Sequence, residues 1–185
     1  MSPLRPYNKF TETSLHYRLA VIAALEECGI TDLTAKWPND ILWEGKKISG
    51  ILIEMDAESH GSTQVTIGIG LNVNMPLSAK EHINRSWISL DQLLGFHQDR
   101  NPVAGKLINH VLRYLDIFSE QGFAYFLAEW KRYDLLYHKY IKFMVRKSVS
   151  SGLMQGVNEQ GQLLLQDKSG EIATYSAGEA SLIKQ

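Results

Sequence analysis

The sequence predicts an α+β protein: a helix, a mixed or antiparallel sheet, a helical stretch, and then a small β-barrel. Three observations predict it. Leu15, Leu19, Ile22 and Leu25 recur at helical spacing. Val65, Ile67, Ile69, Leu71 and Val73 alternate strictly, the period of a half-buried strand. After Tyr140, short β-rich segments are separated by glycine-bearing turns.

Residues 1–12 carry two prolines and no period, which reads as an extended start. A helix follows from Ser14 to Cys28, with Thr13 as N-cap and Gly29 where a left-handed residue closes a helix. Leu33–Lys36 is a short strand that enters a Pro38-Asn39-Asp40 turn. Ile41–Trp43 and Lys47–Met55 are strands joined by the tight pair Glu44-Gly45. The polar break 59–62 leads into the alternating strand, and residues 75–88 form an irregular loop.

Ser89 caps a short helix reaching Leu94. Longer helices span Pro102–Glu120, with the proline in the first turn, and Phe123–Tyr133. Leu107, Val111, Leu115 and Phe118 make one apolar stripe, Phe126 and Trp130 another, and such stripes are expected to be core. The barrel strands are 141–146, 152–157, 163–166, 172–175 and 180–183. The domain boundary falls near His138, giving units 1–137 and 138–185.

Composition sets limits on function. The chain has 185 residues, 44% hydrophobic and 21% charged, with a formal net charge of -1. That balance argues for no nucleic acid and no membrane surface as partner. Cys28 is the single cysteine, so no internal disulfide forms, and a reducing, cytoplasmic setting fits. It falls near the end of an apolar helical pattern and is expected to be a buried structural thiol. No run of about 18 apolar residues and no signal-peptide pattern occurs. The six histidines lack metal-ligand spacing, which argues against a metal held in an all-protein cage.

The chemistry concentrates in KWPNDILWEGKKISGILIE, residues 36–54. Lys36, Asn39, Asp40, Lys46 and Lys47 surround a strand that has Gly50 inside it. Glycine weakens a strand unless something approaches the backbone closely there. Taken singly, each feature has a plain structural account: a solvated lysine pair, a turn aspartate, core tryptophans. Gly68-Ile69-Gly70 opens like a dinucleotide fingerprint, but Val73 occupies the third glycine position and no helix follows, so that motif fails.

Read with IGIGLN at residues 67–72, this stretch resembles the catalytic domain of BirA-type biotin–protein ligases. The resemblance runs from about Ser14 to the C-terminus and includes Trp87-Ile88-Ser89-Leu90 and the closing Gly178-Glu179-Ala180-Ser181-Leu182. It implies the class II synthetase-like biotin/lipoate ligase fold followed by an SH3-like barrel. It also implies the activity: biotin and ATP form biotinyl-5′-adenylate and pyrophosphate, and the acyl group passes to a lysine of a biotin carboxyl carrier protein. Mg²⁺ commonly assists such chemistry.

By this resemblance Lys47 contacts the activated carboxyl–phosphate, and Lys36, Asn39 and Asp40 form the turn beside the nucleotide. Asp40 orients the incoming lysine amine or engages a metal. Gly50, Leu52, Gly68 and Gly70 line the biotin channel, and Asn72 and Trp87 join the substrate-binding set. A homodimer is compatible with the family.

The chain departs from the family at its N-terminus. Members carry an Arg- and Gly-rich loop ahead of the first helix, whereas here Arg5 is the one arginine before Arg18 and no glycine precedes Gly29. Members also carry polar residues there that hold the ureido ring, and this chain has none. The expectation is a family member shortened at its N-terminus, without a DNA-binding repressor domain. Two alternatives stay open: a lipoate-type ligase, and an impaired or non-catalytic ligand-binding member.

Overall fold

The computed structural model describes residues 15–57, 63–76, 78–79, 83–145, 148–176 and 180–182. Helix α1 (Leu15–Glu27) is followed by four strands: β1 (Leu33–Lys36), β2 (Asp40–Trp43), β3 (Lys46–Ala57) and β4 (Thr63–Leu71). Then come α2 (Leu90–Leu94), α3 (Arg100–Gln121), a 3-10 turn (Phe123–Phe126) and α4 (Leu127–Tyr133). The chain ends in β5 (Tyr140–Val145), β6 (Ser148–Val157), β7 (Leu163–Gln166), β8 (Ile172–Tyr175) and β9 (Ala180–Leu182).

The first sheet has the order β1-β2-β3-β4 and is antiparallel at every ladder. Its central hairpin turns through Glu44 and Gly45, both left-handed at φ 45° and 77°. That is the two-residue turn whose twist matches the strands it joins. The register then slips, pairing Ile41 with Ser49 but Leu42 with Lys47, so Ile48 is an extra bulge residue. One face of this sheet supplies Ile41, Ile48 and Ile51 to the core.

Against that core lies α1, and it departs from the single apolar stripe expected. Leu15 through Ile22, with Ala24 and Leu25, are all buried, so the helix is enclosed on every side, His16 and Arg18 included. The sheet covers one flank and α3 another; the His16 ring stacks on Phe118 at 4.1 Å between centroids and 6° between planes. Gly29 closes the helix in the left-handed region at φ 89°. Thr13, the expected cap, lies outside the described residues. Cys28 is half-buried rather than buried, and desolvation raises its thiol pKa.

Two other local expectations change. Ser89 stands at the N-cap of α2, but its hydroxyl donates to the Asp91 carboxylate rather than accepting a backbone N–H. The segment after Gly122 begins as a 3-10 turn and becomes α-helical only at Leu127. Phe126 and Trp130 are core, as their spacing predicts.

The C-terminal strands form one five-stranded antiparallel sheet in the order β8-β7-β6-β5-β9. Trp37 bridges the two sheets, its indole N–H donating to the Gly161 carbonyl at 3.4 Å. Among the described residues no helix is long and apolar enough to cross a membrane. A side chain on Gly152 would put its Cβ 2.5 Å from the Gln166 carbonyl and 2.8 Å from Leu165 Cδ2. Gly152→Ala should therefore cost about 1–3 kcal/mol by overpacking, read as a lowered urea midpoint with an unchanged slope.

Candidate functional site

The bulged hairpin decides where charge is placed. Lys36 pairs with Asp40, Asp40 with Gly50, and Gly50 with Gly70, so these four positions share the face of the sheet opposite the core. Leu52 and Gly68 form the next row on that face, and Leu52 is 58% exposed. A cleft of about 840 Å³ lies over them, lined by Asn39, Asp40, Lys47, Gly50, Leu52, Gly68, Gly70 and Asn72 together with Pro38, Ile51, Ile69, Leu71 and Arg85.

Gly50 answers for its own place in the strand. A Cβ there would sit 2.7 Å from Lys47 Nζ and 2.9 Å from its Cε. The Lys47 side chain thus lies across the glycine and ends on Asp40 Oδ1 at 2.5 Å. Gly68 and Gly70 differ from it. A Cβ on Gly68 would approach nothing closer than the Leu52 carbonyl at 3.6 Å, and one on Gly70 nothing closer than the Gly50 carbonyl at 3.7 Å. The fold itself does not require those two glycines; their effect is to leave the cleft floor bare.

The backbone of Lys47 is fixed from a distant segment. Lys47 N–H donates to the Ser86 carbonyl, and Ile88 N–H donates to the Lys47 carbonyl, both at 3.0 Å, making a parallel bridge to Trp87. Asn72 ties the same point, its Nδ2 donating to the carbonyls of Lys47 at 3.1 Å and Ile88 at 3.0 Å. Trp87 is buried behind this bridge and does not line the cleft. Lys36 stays on the β1–β2 pair next to Asp40 and is likewise outside the lining.

Two residues of the site are not singled out by sequence reasoning. Arg18, fully buried in α1, donates from Nη2 to Asn39 Oδ1 at 2.6 Å. Burial lowers its pKa to about 9, partly offset by the negative charge of Asp40, so it is charged at neutral pH. A single arginine inside the apolar run LHYRLAVIAAL is the available signal. Arg85 lines the cleft from the segment ahead of Trp87, and nothing in its local sequence marks it. Among the described residues no group of three or more His, Cys, Asp or Glu gathers as a metal site.

Residues 4–72 match the Biotin/lipoate A/B protein ligase family. The chain is 31% identical over 169 residues to the bifunctional ligase/repressor BirA of Escherichia coli K12, covering 91% of this chain and 52% of that protein. With the Bacillus subtilis BirA it is 34% identical over 183 residues, covering 96% and 55%. The apo biotin protein ligase of Aquifex aeolicus has a TM-score of 0.80 at 28% identity, covering 97% of this chain and 77% of that one. The same enzyme in complex with biotin and ATP gives 0.79 at 28%, covering 95% and 72%.

The chain is similar to biotin protein ligases over more than nine-tenths of its length. It spans about half the length of the curated BirA proteins it matches. The family match ends at Asn72, so it contains the whole hairpin, the Lys47–Asp40 pair and all three cleft glycines. A bare strand surface beside a fixed ammonium leaves room for a flat ligand with a charged end at the cation. Gly68→Val should block such a ligand while leaving the melting temperature equal or slightly higher, because valine suits a strand. Calorimetry with biotin, beside thermal melts of both proteins, checks this.

Proposed function

We propose that this chain carries out biotin–protein ligation in the cleft over β3 and β4, and the observation that carries the reading is Lys47 held across Gly50 on Asp40. In the first step a biotin carboxylate oxygen bonds to the α-phosphorus of ATP and the bond to the β-phosphate bridging oxygen breaks, releasing pyrophosphate. Negative charge accumulates on the reacting oxygens, and a fixed ammonium that needs no reorganisation stabilises it. Lysine serves as a compact point charge.

In the second step the neutral amine of a carrier lysine bonds to the acyl carbon, AMP leaves with the electron pair of the broken acyl–oxygen bond, and the amine nitrogen releases a proton to solvent. Asp40, 29% exposed at its side chain, is placed to accept a hydrogen bond from that amine and orient it. Gly50, Leu52, Gly68 and Gly70 take the biotin rings, and Asn39 and Asn72 take polar groups of the substrates. Lys36 and Trp87 act from behind the lining, Lys36 beside the turn and Trp87 by holding Lys47. Mg²⁺ would enter with the ATP phosphates and spread their charge; among the described residues Asp40 is the carboxylate on the lining available to it.

The partner is a biotin carboxyl carrier protein. The five C-terminal strands form an SH3-like barrel, residues 138–185, joined to the ligase unit 1–137, and a homodimer and a cytoplasmic setting complete the reading.

Biotin-dependent exchange of labelled pyrophosphate into ATP tests it, with lipoate as the competing acid. Lys47→Ala should lower exchange about 10²–10³-fold while the far-ultraviolet circular dichroism and melting temperature stay near the parent's, since a half-exposed ion pair adds little stability. Exchange with lipoate and not biotin would overturn the substrate, and biotin uptake without any exchange would favour a binding role.

A further inference from the structure

The Pro38-Asn39-Asp40 turn contains a side-chain amide whose two ends are normally interchangeable in a structure. Here they are not. A guanidinium has five donors and no acceptor, so the atom facing Arg18 has to be the amide oxygen. Arg18 Nη2 meets it at 2.6 Å, a short charge-assisted bond. The Asn39 backbone carbonyl is also occupied, accepting from Ile51 N–H at 3.0 Å. What remains is the Nδ2 group, which has no hydrogen-bond partner among the described residues, on an exposed residue that lines the cleft.

We infer that Arg18 is a positioning residue that locks the polarity of Asn39, so the cleft meets its ligand there with two N–H donors aimed at a carboxylate or phosphate oxygen. The inference rests on the proposed reading of the cleft as an acyl and nucleotide site. Neighbouring positions on α1, Leu15, Leu19, Ile22 and Leu25, are apolar and buried, and a leucine at 18 would extend them without desolvating a charge. Burial disfavours the charged guanidinium, and the negative charge of Asp40 opposes that in part. The buried cation therefore presets the amide of the turn by a hydrogen bond.

Asn39→Asp tests the polarity. The carboxylate still accepts from Arg18, so the protein folds with an equal or higher melting temperature, but an oxygen replaces the donors on the cleft side. Calorimetric affinity for ATP and for biotin should fall by at least tenfold in total, roughly one step on the usual affinity scale. A folded Asn39→Asp protein that binds both as tightly as the parent overturns the inference. Arg18→Leu should give a similar loss, with Arg18→Lys recovering part of it.

A second measurement is independent of ligand. The side-chain ¹³Cγ resonance of Asn39 should be displaced from that of a free amide in the parent and return towards it in Arg18→Leu. If the parent binds neither ATP nor biotin, the proposed function falls, and this resonance decides the inference alone; an Asn39 signal at the free-amide position in the parent overturns it. If Arg18→Leu does not fold, Asn39→Asp and the parent's own resonance decide the inference by the same criteria.

Discussion

A lysine lying across a glycine is the contact on which the cleft depends. Lys47 lies over position 50 on its way to Asp40; a Cβ there would come within 2.7 Å of its Nζ, so a side chain at 50 would push the end of the lysine aside. Two features of the chain make that crossing possible. The left-handed pair Glu44-Gly45 folds β3 back on β2, and the bulge at Ile48 shifts the register so that Lys47 pairs with Leu42. Without the slip Lys47 would occupy the other face of the ladder, because a one-residue shift reverses every side chain. The ion pair itself contributes little stability at this exposure. Its value is geometric.

The pair is local in sequence, but its surroundings are not. Ser86, Trp87 and Ile88 clamp the Lys47 backbone from one side, Asn72 pins the same residue to that clamp, and Arg18 reaches up from α1 to the turn. Each fixes a different degree of freedom: strand position, loop position, turn orientation. Trp37, inside the same KWPND stretch, ties the sheet to the C-terminal strands through Gly161. The hairpin segment 36–54 is therefore held from several separate parts of the chain, which is how a short hairpin can keep a charged group fixed in a wide, open cleft.

What is legible in the sequence follows from the range of the interactions. The hairpin and its turn, the alternation in β4 and the C-terminal strands depend on residues a few positions apart, and the sequence pattern finds each of them. Of the ten site residues inferred by resemblance, eight line the cleft; Lys36 and Trp87 sit beside it, held by strand pairing and by burial. The enclosure of α1 on all sides is not legible, since its spacing shows one stripe and the second cover comes from α3, far downstream, where Phe118 stacks on His16. Arg18 shares that difficulty. A charged residue in an apolar helix announces a partner, but which partner is set by tertiary packing. Ser89 stands where the pattern puts it and its bond does not, because Asp91 two residues on competes for the same hydroxyl.

The charges on the cleft lining then set what it attracts. Asp40 and Lys47 offset each other, which leaves Arg85, with no ion pair among the described residues, as the unbalanced charge on the lining. Arg18 adds a second positive charge below the turn, out of contact with solvent and therefore poorly screened. On the proposed reading of the cleft, a carboxylate and a polyphosphate brought together there repel each other, and both are drawn by the same pair of arginines.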